Sequence, residues 1–200
     1  MASNHKNIEK ALKILFTDYL HSYNAFSLKG HLAMSDVGSL KLLRRLKQQN
    51  IVTSKNMGNA IFYRPNLERM YVLKLLELIF LDHSYLSNYV KGWIEELKVF
   101  IPKTKALLLY GSILTKDKKA ADVDVCFILK DAEDYQEIQK EVNKINIRNR
   151  LKIHSLYLTP QEFEKKLIGQ DAVTLNLIKT CIVIHGVELF VKTIAKVQKR

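Results

Sequence analysis

The chain has 200 residues, of which 48% are hydrophobic and 26% charged, a composition typical of one large or two small globular domains. No apolar stretch is long enough to cross a bilayer and the polar first ten residues do not resemble a signal peptide, so we expect a cytoplasmic protein without a membrane partner. The formal net charge is +12, and the first 66 residues, with ten basic and three acidic side chains, hold more than half of this excess. This bias favours an anionic polymer as partner, although a solvated lysine-rich surface would have the same composition.

The N-terminal third predicts three helices. Apolar residues recur at helical spacing over 8–19, and a short second helix is predicted near 27–33. Either Ser35 or Asp36 can cap a third helix that reaches about Gln49. The sequence therefore predicts a small helical domain at this end of the chain.

The third helix combines an apolar side with a basic side. Leu40, Leu43 and Leu46 are predicted to face inward. The opposite side carries residue types that contact phosphates and base edges in a major groove. The candidate DNA contacts on this helix and in the segment after it are Ser39, Lys41, Arg44, Arg45, Gln48 and Lys55.

A two-stranded hairpin is predicted next, with strands 51–53 and 60–63 around a tip that contains lysine, two asparagines and glycine. The order of helix, short helix, basic helix and hairpin resembles the winged helix-turn-helix domains of bacterial and archaeal regulators over residues 1–66. The resemblance implies a DNA-binding domain. A solvated basic face or a protein-binding module is the alternative.

Residues 67–84 predict a connecting helix. From Leu67 to Leu81 it is apolar on nearly all sides, with only Lys74 and Glu77 charged in its interior. Such a helix is expected to be covered on all sides. We interpret it either as packed between two domains or as the interface of a homodimer, in which two basic helices would read a palindromic DNA site.

The second half of the chain contains two short apolar runs on either side of a Gly-Ser turn and a polar loop. Alternate residues of a strand share a face, so Asp122 and Asp124 should point the same way. Two neighbouring carboxylates are costly to keep ionised without a cation, and their hard oxygens suit Mg²⁺ or Mn²⁺. Gly111 leaves the backbone accessible and Ser112 adds an N–H and a hydroxyl, groups that bind phosphate.

The remaining elements follow from periodicity and capping residues. Trp93 lies within an apolar stripe and is interpreted as a core residue rather than a base-stacking one. The predicted elements are helices 85–98 and 134–146, a strand 151–158, a capping box at 159–162 that starts a further helix, a helix from 171, and a strand 181–185.

Gly-Ser, nine residues and Asp-x-Asp on an apolar strand resemble the signature of the DNA polymerase beta-like nucleotidyltransferase superfamily, in particular its minimal branch, over about residues 85–190. The resemblance implies that Gly111 and Ser112 bind a nucleoside triphosphate and that Asp122 and Asp124 bind Mg²⁺ or Mn²⁺. It also implies transfer of a nucleotide onto a hydroxyl. A pair of strands with an acidic edge is the alternative.

The third carboxylate of this family is replaced here. In an ungapped comparison, His154 occupies its position. An imidazole binds Mn²⁺ or Zn²⁺ but is a poor ligand for Mg²⁺, and it can accept a proton near neutral pH. We therefore include His154 with the two aspartates as a candidate catalytic residue. Lys116 is a candidate phosphate contact, with a solvated lysine loop as the alternative.

Together these features predict an α+β protein with a winged helix-turn-helix domain at 1–66, a connector at 67–84, and a nucleotidyltransferase-like domain with a small mixed sheet at 85–200. Two functions remain. The protein is either a DNA-binding nucleotidyltransferase that modifies a protein, an RNA or a small molecule, or a transcriptional regulator whose second domain has lost catalysis and senses nucleotide or dimerises. Minimal nucleotidyltransferases often accompany a toxin, so a toxin-type protein partner is a further expectation.

Overall fold

A computed structural model describes residues 2–131 and 133–199. Within these two stretches the chain forms ten α-helices and seven β-strands in two small sheets, which gives a mixed α+β fold. The chain divides into two compact units, one extending to Ile79 and the other from Phe80 to Gln198. In the part of the chain that the structure describes, the helices are too short or too polar to cross a membrane.

The first unit combines three helices and most of a fourth with a three-stranded antiparallel sheet of order β1-β3-β2. Ser35 rather than Asp36 is the N-cap of the third helix, because its side chain accepts a hydrogen bond from the N–H of Gly38 at 3.2 Å. The elements are α1 (Ala2–Thr17), β1 (Tyr23–Asn24), α2 (Ala25–Leu32), α3 (Asp36–Gln48), β2 (Val52–Met57), β3 (Ala60–Pro65) and α4 (Met70–Leu81).

The inward side of α3 differs from the prediction by part of a turn. Leu43 and Leu46 are fully buried as expected, but Leu42 is buried and Leu40 only half-buried. Positions 42, 43 and 46 lie within one stripe of a helix, and the sequence offers leucines on either side of that stripe. Packing of the helix, not its composition, therefore decides which leucine enters the core.

The connecting helix is shorter and less covered than predicted. It begins at Met70, because the N–H groups of Leu67 and Arg69 donate to the preceding turn. Val72 and Leu76 are buried, but Leu78 is 66% exposed, and Met70, Tyr71 and Leu81 are also exposed. One side of this helix is therefore exposed in the single chain, and its coverage by a second copy stays a prediction.

The second unit contains a four-stranded mixed sheet of order β6-β5-β4-β7, with β5 antiparallel to β4 and parallel to β6. Two short 3₁₀ turns lie at 98–103 and 117–119. Its elements are α5 (Asn88–Leu97), β4 (Thr104–Tyr110), α6 (Ile113–Lys116), β5 (Asp122–Leu129), α7 (Asp134–Arg148), β6 (Lys152–Leu158), α8 (Pro160–Ile168), α9 (Ala172–Thr180), β7 (Ile182–His185) and α10 (Val187–Gln198).

One face of this sheet packs into a buried core. Val123 and Val125 of β5 are completely buried in a core cluster that includes Trp93, Leu97 and Val142 from the helices α5 and α7. The prediction that Trp93 is a core residue is confirmed. The opposite face contacts α8 and α10 over part of its area and carries polar side chains where β5 begins.

Candidate metal centre and basic surface

Asp122 and Asp124 lie on the same face of β5, while the valines that alternate with them are buried on the other. Their side chains are 28% and 25% exposed. The same-face prediction from strand alternation is confirmed. Two carboxylates thus lie side by side on one face of the sheet, where β5 begins.

His154 reaches this pair from the neighbouring strand. The parallel register of β5 and β6 places His154 beside Asp124. Its Nδ1 lies 3.1 Å from Oδ2 of Asp122 and 3.9 Å from Oδ1 of Asp124. Ligand atoms of the three side chains all lie within 4.8 Å of one another, a group that can hold a metal ion.

The electrostatics of the site favour a cation. Burial raises the pKa of Asp124, the neighbouring charge of Asp122 raises it further, and His154 offsets part of this. The charge of Asp122 therefore adds to the cost of ionising Asp124. Two carboxylates and an imidazole are a donor set that suits first-row transition metals better than Mg²⁺.

Gly111 contacts the carboxylate of Asp124. Its φ is +82°, a conformation that favours glycine, and a Cβ added there would come within 1.9 Å of Oδ2 of Asp124. A side chain at this position would displace the carboxylate. The glycine of the Gly-Ser pair is therefore needed both for the turn and for the space beside the aspartate.

Ser112 is the N-cap residue that precedes the four-residue helix α6. Its carbonyl accepts hydrogen bonds from the N–H groups of Thr115 and Lys116, while its hydroxyl does not cap the helix. The loop that follows is attached to α5, because the hydroxyl of Ser87 donates to Oδ1 of Asp117 at 3.0 Å. Ser112 thus has a fixed backbone and a half-buried side chain next to Gly111.

Lys116 lies at the end of α6 and is exposed. Among residues 2–131 and 133–199 it forms no ion pair, so its ammonium group is available to an anion. Lys118 and Lys119 follow it and are also exposed. The structure brings none of these lysines into a contact with the three candidate ligands.

Tyr110 belongs to the surroundings of the site but was not among the predicted residues. It pairs with Asp124 across β4 and β5, and on directly opposite positions of an antiparallel pair the side chains share a face. Burial, with the charges of Asp124 and Asp122 added, raises the pKa of Tyr110 to about 12. Its position immediately before the glycine, as a polar end to an apolar run, was the available sequence signal.

The basic side of α3 is exposed at Lys41, Arg44, Arg45 and Gln48. The prediction that Ser39 contacts DNA is wrong. This side chain is fully buried, and its hydroxyl donates a hydrogen bond to the carbonyl of Ala25 at 2.9 Å. Ser39 therefore joins α3 to the start of α2 and is not available to a ligand.

Lys55 is exposed on β2, beside a cavity of about 290 Å³ that is also lined by Arg64 and Phe62. The hairpin β2–β3 thus presents two cations around one apolar ring. This arrangement suits an anionic group better than a neutral one.

Comparison of the chain with protein-family models, with curated proteins and with solved structures found no match. Functional inference therefore rests on the site itself.

Proposed function

We propose that the protein binds DNA through its first unit and carries in its second unit a metal-dependent nucleotidyltransferase-like site, which transfers a nucleotide from a nucleoside triphosphate to a hydroxyl acceptor. The observation that supports this is the convergence of Asp122, Asp124 and His154 next to the Gly111 turn. A divalent cation and a polyphosphate both match the chemistry of these neighbouring groups.

Asp122, Asp124 and His154 would hold the divalent ion. The ion would supply neutralisation of charge on the reacting phosphates. Gly111 leaves its backbone open because it has no side chain, and the hydroxyl of Ser112 would donate to a phosphate oxygen. Lys116, which is free of ion pairs within the described residues, would pair with a second phosphate. The acceptor would be a hydroxyl of a protein, an RNA or a small molecule. Its oxygen would form a bond to the α-phosphorus as the bond to pyrophosphate breaks, and its proton would pass to water.

The second candidate is a regulator whose nucleotidyltransferase-like unit binds nucleotide without transferring it. It is favoured by His154, since an imidazole brings no negative charge where a third carboxylate would. A nucleotide could then change the affinity for DNA only by binding one conformation of the protein better than another.

The first unit supports DNA binding through its order of elements, which resembles a winged helix, and through the exposed cations of α3. Lys41, Arg44 and Arg45 would contact phosphates and base edges, and Lys55 would contact the backbone from the hairpin. The exposed apolar side of α4 would form the interface of a homodimer that presents two such units to a palindromic site.

The test is incubation with each labelled nucleoside triphosphate and Mn²⁺ or Mg²⁺, with the protein itself, RNA or cell extract as the source of acceptors. The double variant Asp122→Ala with Asp124→Ala serves as the blank. Asp131→Asn with Glu133→Gln is the matched control, because it neutralises two exposed acids on the segment that follows β5. Label that persists in the control and is absent in the blank supports the enzyme.

Nucleotide binding without transfer, accompanied by a change in DNA affinity, would instead establish the regulator. Absence of nucleotide binding in the presence of either metal would reject both forms of the proposal.

A further inference from the structure

The three candidate ligands differ in kind. Asp122 and Asp124 offer oxygen, whereas His154 offers nitrogen. Mg²⁺ prefers oxygen ligands and retains several waters, so an imidazole contributes little to its binding. Mn²⁺, Co²⁺ and Zn²⁺ accept imidazole as a ligand readily. For a given site, affinity generally rises from Mn²⁺ to Co²⁺ along the first transition series.

The nitrogen and oxygen atoms lie close to the spacing of ligands on one ion, and all are within 4.8 Å of one another. Metal–ligand bonds of about 2.1 Å place neighbouring donor atoms about 3.0 to 3.4 Å apart in octahedral or tetrahedral geometry. Nδ1 of His154 is 3.1 Å from Oδ2 of Asp122 and 3.9 Å from Oδ1 of Asp124. The first pair already matches, and the second requires a closure of less than an ångström.

His154 is also held in place at its backbone. The side chain of Asn146, on α7, accepts a hydrogen bond from the N–H of Ile153 at 2.7 Å and donates one to its carbonyl at 3.4 Å. These two bonds fix the residue directly before His154 against α7, and the parallel pairing with Asp124 fixes His154 itself. The nitrogen ligand is therefore placed by the fold and not by a mobile loop.

From these observations we infer that the site selects first-row transition-metal ions, with Mn²⁺ as the test ion, over Mg²⁺, and that His154 is the residue that sets this selectivity. The inference rests on the metal site of the proposed function. It does not require that nucleotide transfer takes place, because metal selectivity belongs to the protein without nucleotide.

The experiment measures Mn²⁺ and Mg²⁺ affinity by calorimetry on the full chain without nucleotide. We expect wild-type protein to bind Mn²⁺ at least about tenfold more tightly than Mg²⁺. His154→Asp supplies a third carboxylate and should reduce this ratio about tenfold, mainly by strengthening Mg²⁺ binding. His154→Ala should reduce the ratio of Mn²⁺ to Mg²⁺ affinity while weakening the binding of both ions. Asp122→Ala with Asp124→Ala should abolish binding.

A direct readout of the nitrogen ligand comes from pulsed electron paramagnetic resonance of the Mn²⁺ complex. Wild-type protein should show coupling to a coordinated imidazole nitrogen, and both His154 variants should lack it. This readout on the wild-type chain also keeps the inference testable if a variant does not fold.

Equal affinity for the two ions, an unchanged ratio in His154→Asp, or the absence of nitrogen coupling would each overturn the inference. Failure of nucleotide transfer with retained Mn²⁺ selectivity would overturn only the proposed function.

Discussion

The α-carbon of Gly111 lies against the carboxylate of Asp124, so close that a Cβ at position 111 would come within 1.9 Å of Oδ2. This contact joins the end of β4 to the start of β5. The glycine turn therefore does more than reverse the chain, since it also sets the position of a candidate metal ligand.

Replacing Gly111 with alanine should damage both stability and metal binding. The positive φ alone costs an alanine about 1–2 kcal/mol. The overlap with Asp124 adds to this and moves the carboxylate away from the other two ligands. We expect Mn²⁺ affinity to fall at least about tenfold, which corresponds to about 1.4 kcal/mol. Calorimetry and denaturant unfolding measure the two effects.

The matched control for this prediction is Gly58→Ala. Gly58 also has a positive φ, of +58°, but its added Cβ would meet nothing within 4 Å. This variant should lose only the conformational part of the stability and keep its Mn²⁺ affinity. Equal metal affinity in both variants would show that the Gly111 contact does not position Asp124.

Replacing Asp124 with asparagine should stabilise the protein when no metal is bound. Burial and the charge of Asp122 raise the pKa of Asp124, so the folded state binds this proton more tightly than the unfolded state does. This proton therefore stabilises the folded state at low pH, and the stabilisation is lost as pH rises through the raised pKa of Asp124. At pH 7 the carboxylate is ionised in both states, and its ionised form destabilises the folded state. Asparagine carries no charge and removes this destabilisation.

We therefore expect Asp124→Asn to have a higher melting temperature than wild-type protein with a chelator present. With Mn²⁺ the order should reverse, because wild-type protein gains stability from the ion and the variant does not. Asp131→Asn, at an exposed position, is the control. A lower melting temperature for Asp124→Asn under chelation would contradict the prediction.

The local features of this site and fold were predictable from sequence because they depend on neighbours along the chain. Period-two alternation placed Asp122 and Asp124 on one face. The capping box of α8 was equally local, and in the structure the side chain of Glu162 accepts a hydrogen bond from the N–H of Thr159 at 2.8 Å.

Two other features, which depend on register and tertiary packing, were not predicted. The placement of Tyr110 opposite Asp124 follows from the pairing of β4 with β5, which no local pattern specifies. Serine is a residue type common on DNA-binding surfaces, and only the packing of Ser39 against α2 shows that it is buried.

The helix α10, which follows the glycine turn, was not predicted, although its apolar residues, such as Phe190 and Ile194, are spaced for one face of a helix.

Replacing Arg44 and Arg45 together with alanine should weaken DNA binding and reduce its dependence on salt. Both side chains are exposed on α3 and form no ion pair within the part of the chain that the structure describes. Each phosphate contact contributes about −0.9 to the slope of log affinity against log salt, so the slope should become shallower by about 2. Fluorescence anisotropy over a salt series measures it.

The control is Lys140→Ala with Arg150→Ala, which removes the same charge from exposed positions of the second unit. It should leave the slope unchanged. Equal slopes for both double variants and wild-type protein would reject α3 as the DNA-contacting surface.

Replacing Tyr23 with phenylalanine should flatten the loss of stability at alkaline pH. The hydroxyl of Tyr23 donates a 2.5 Å hydrogen bond to Oδ2 of Asp18, and burial together with this carboxylate raises the pKa of Tyr23 to about 12. The unfolded state ionises near pH 10 while the folded state keeps its proton, so stability falls as pH rises from 10 to 12. The fall in stability due to Tyr23 is on the order of 2 kcal/mol and should be absent in the variant.

At pH 7 the Tyr23→Phe variant should be less stable than wild-type protein by about 1–3 kcal/mol, because it lacks a hydrogen bond to a charged group. Urea unfolding at each pH measures both differences, and Tyr71→Phe, whose exposed hydroxyl donates to the carbonyl of Gln49, is the control. Parallel pH profiles for wild-type and Tyr23→Phe would show that the proton of Tyr23 is held no more tightly in the folded chain than in the unfolded one.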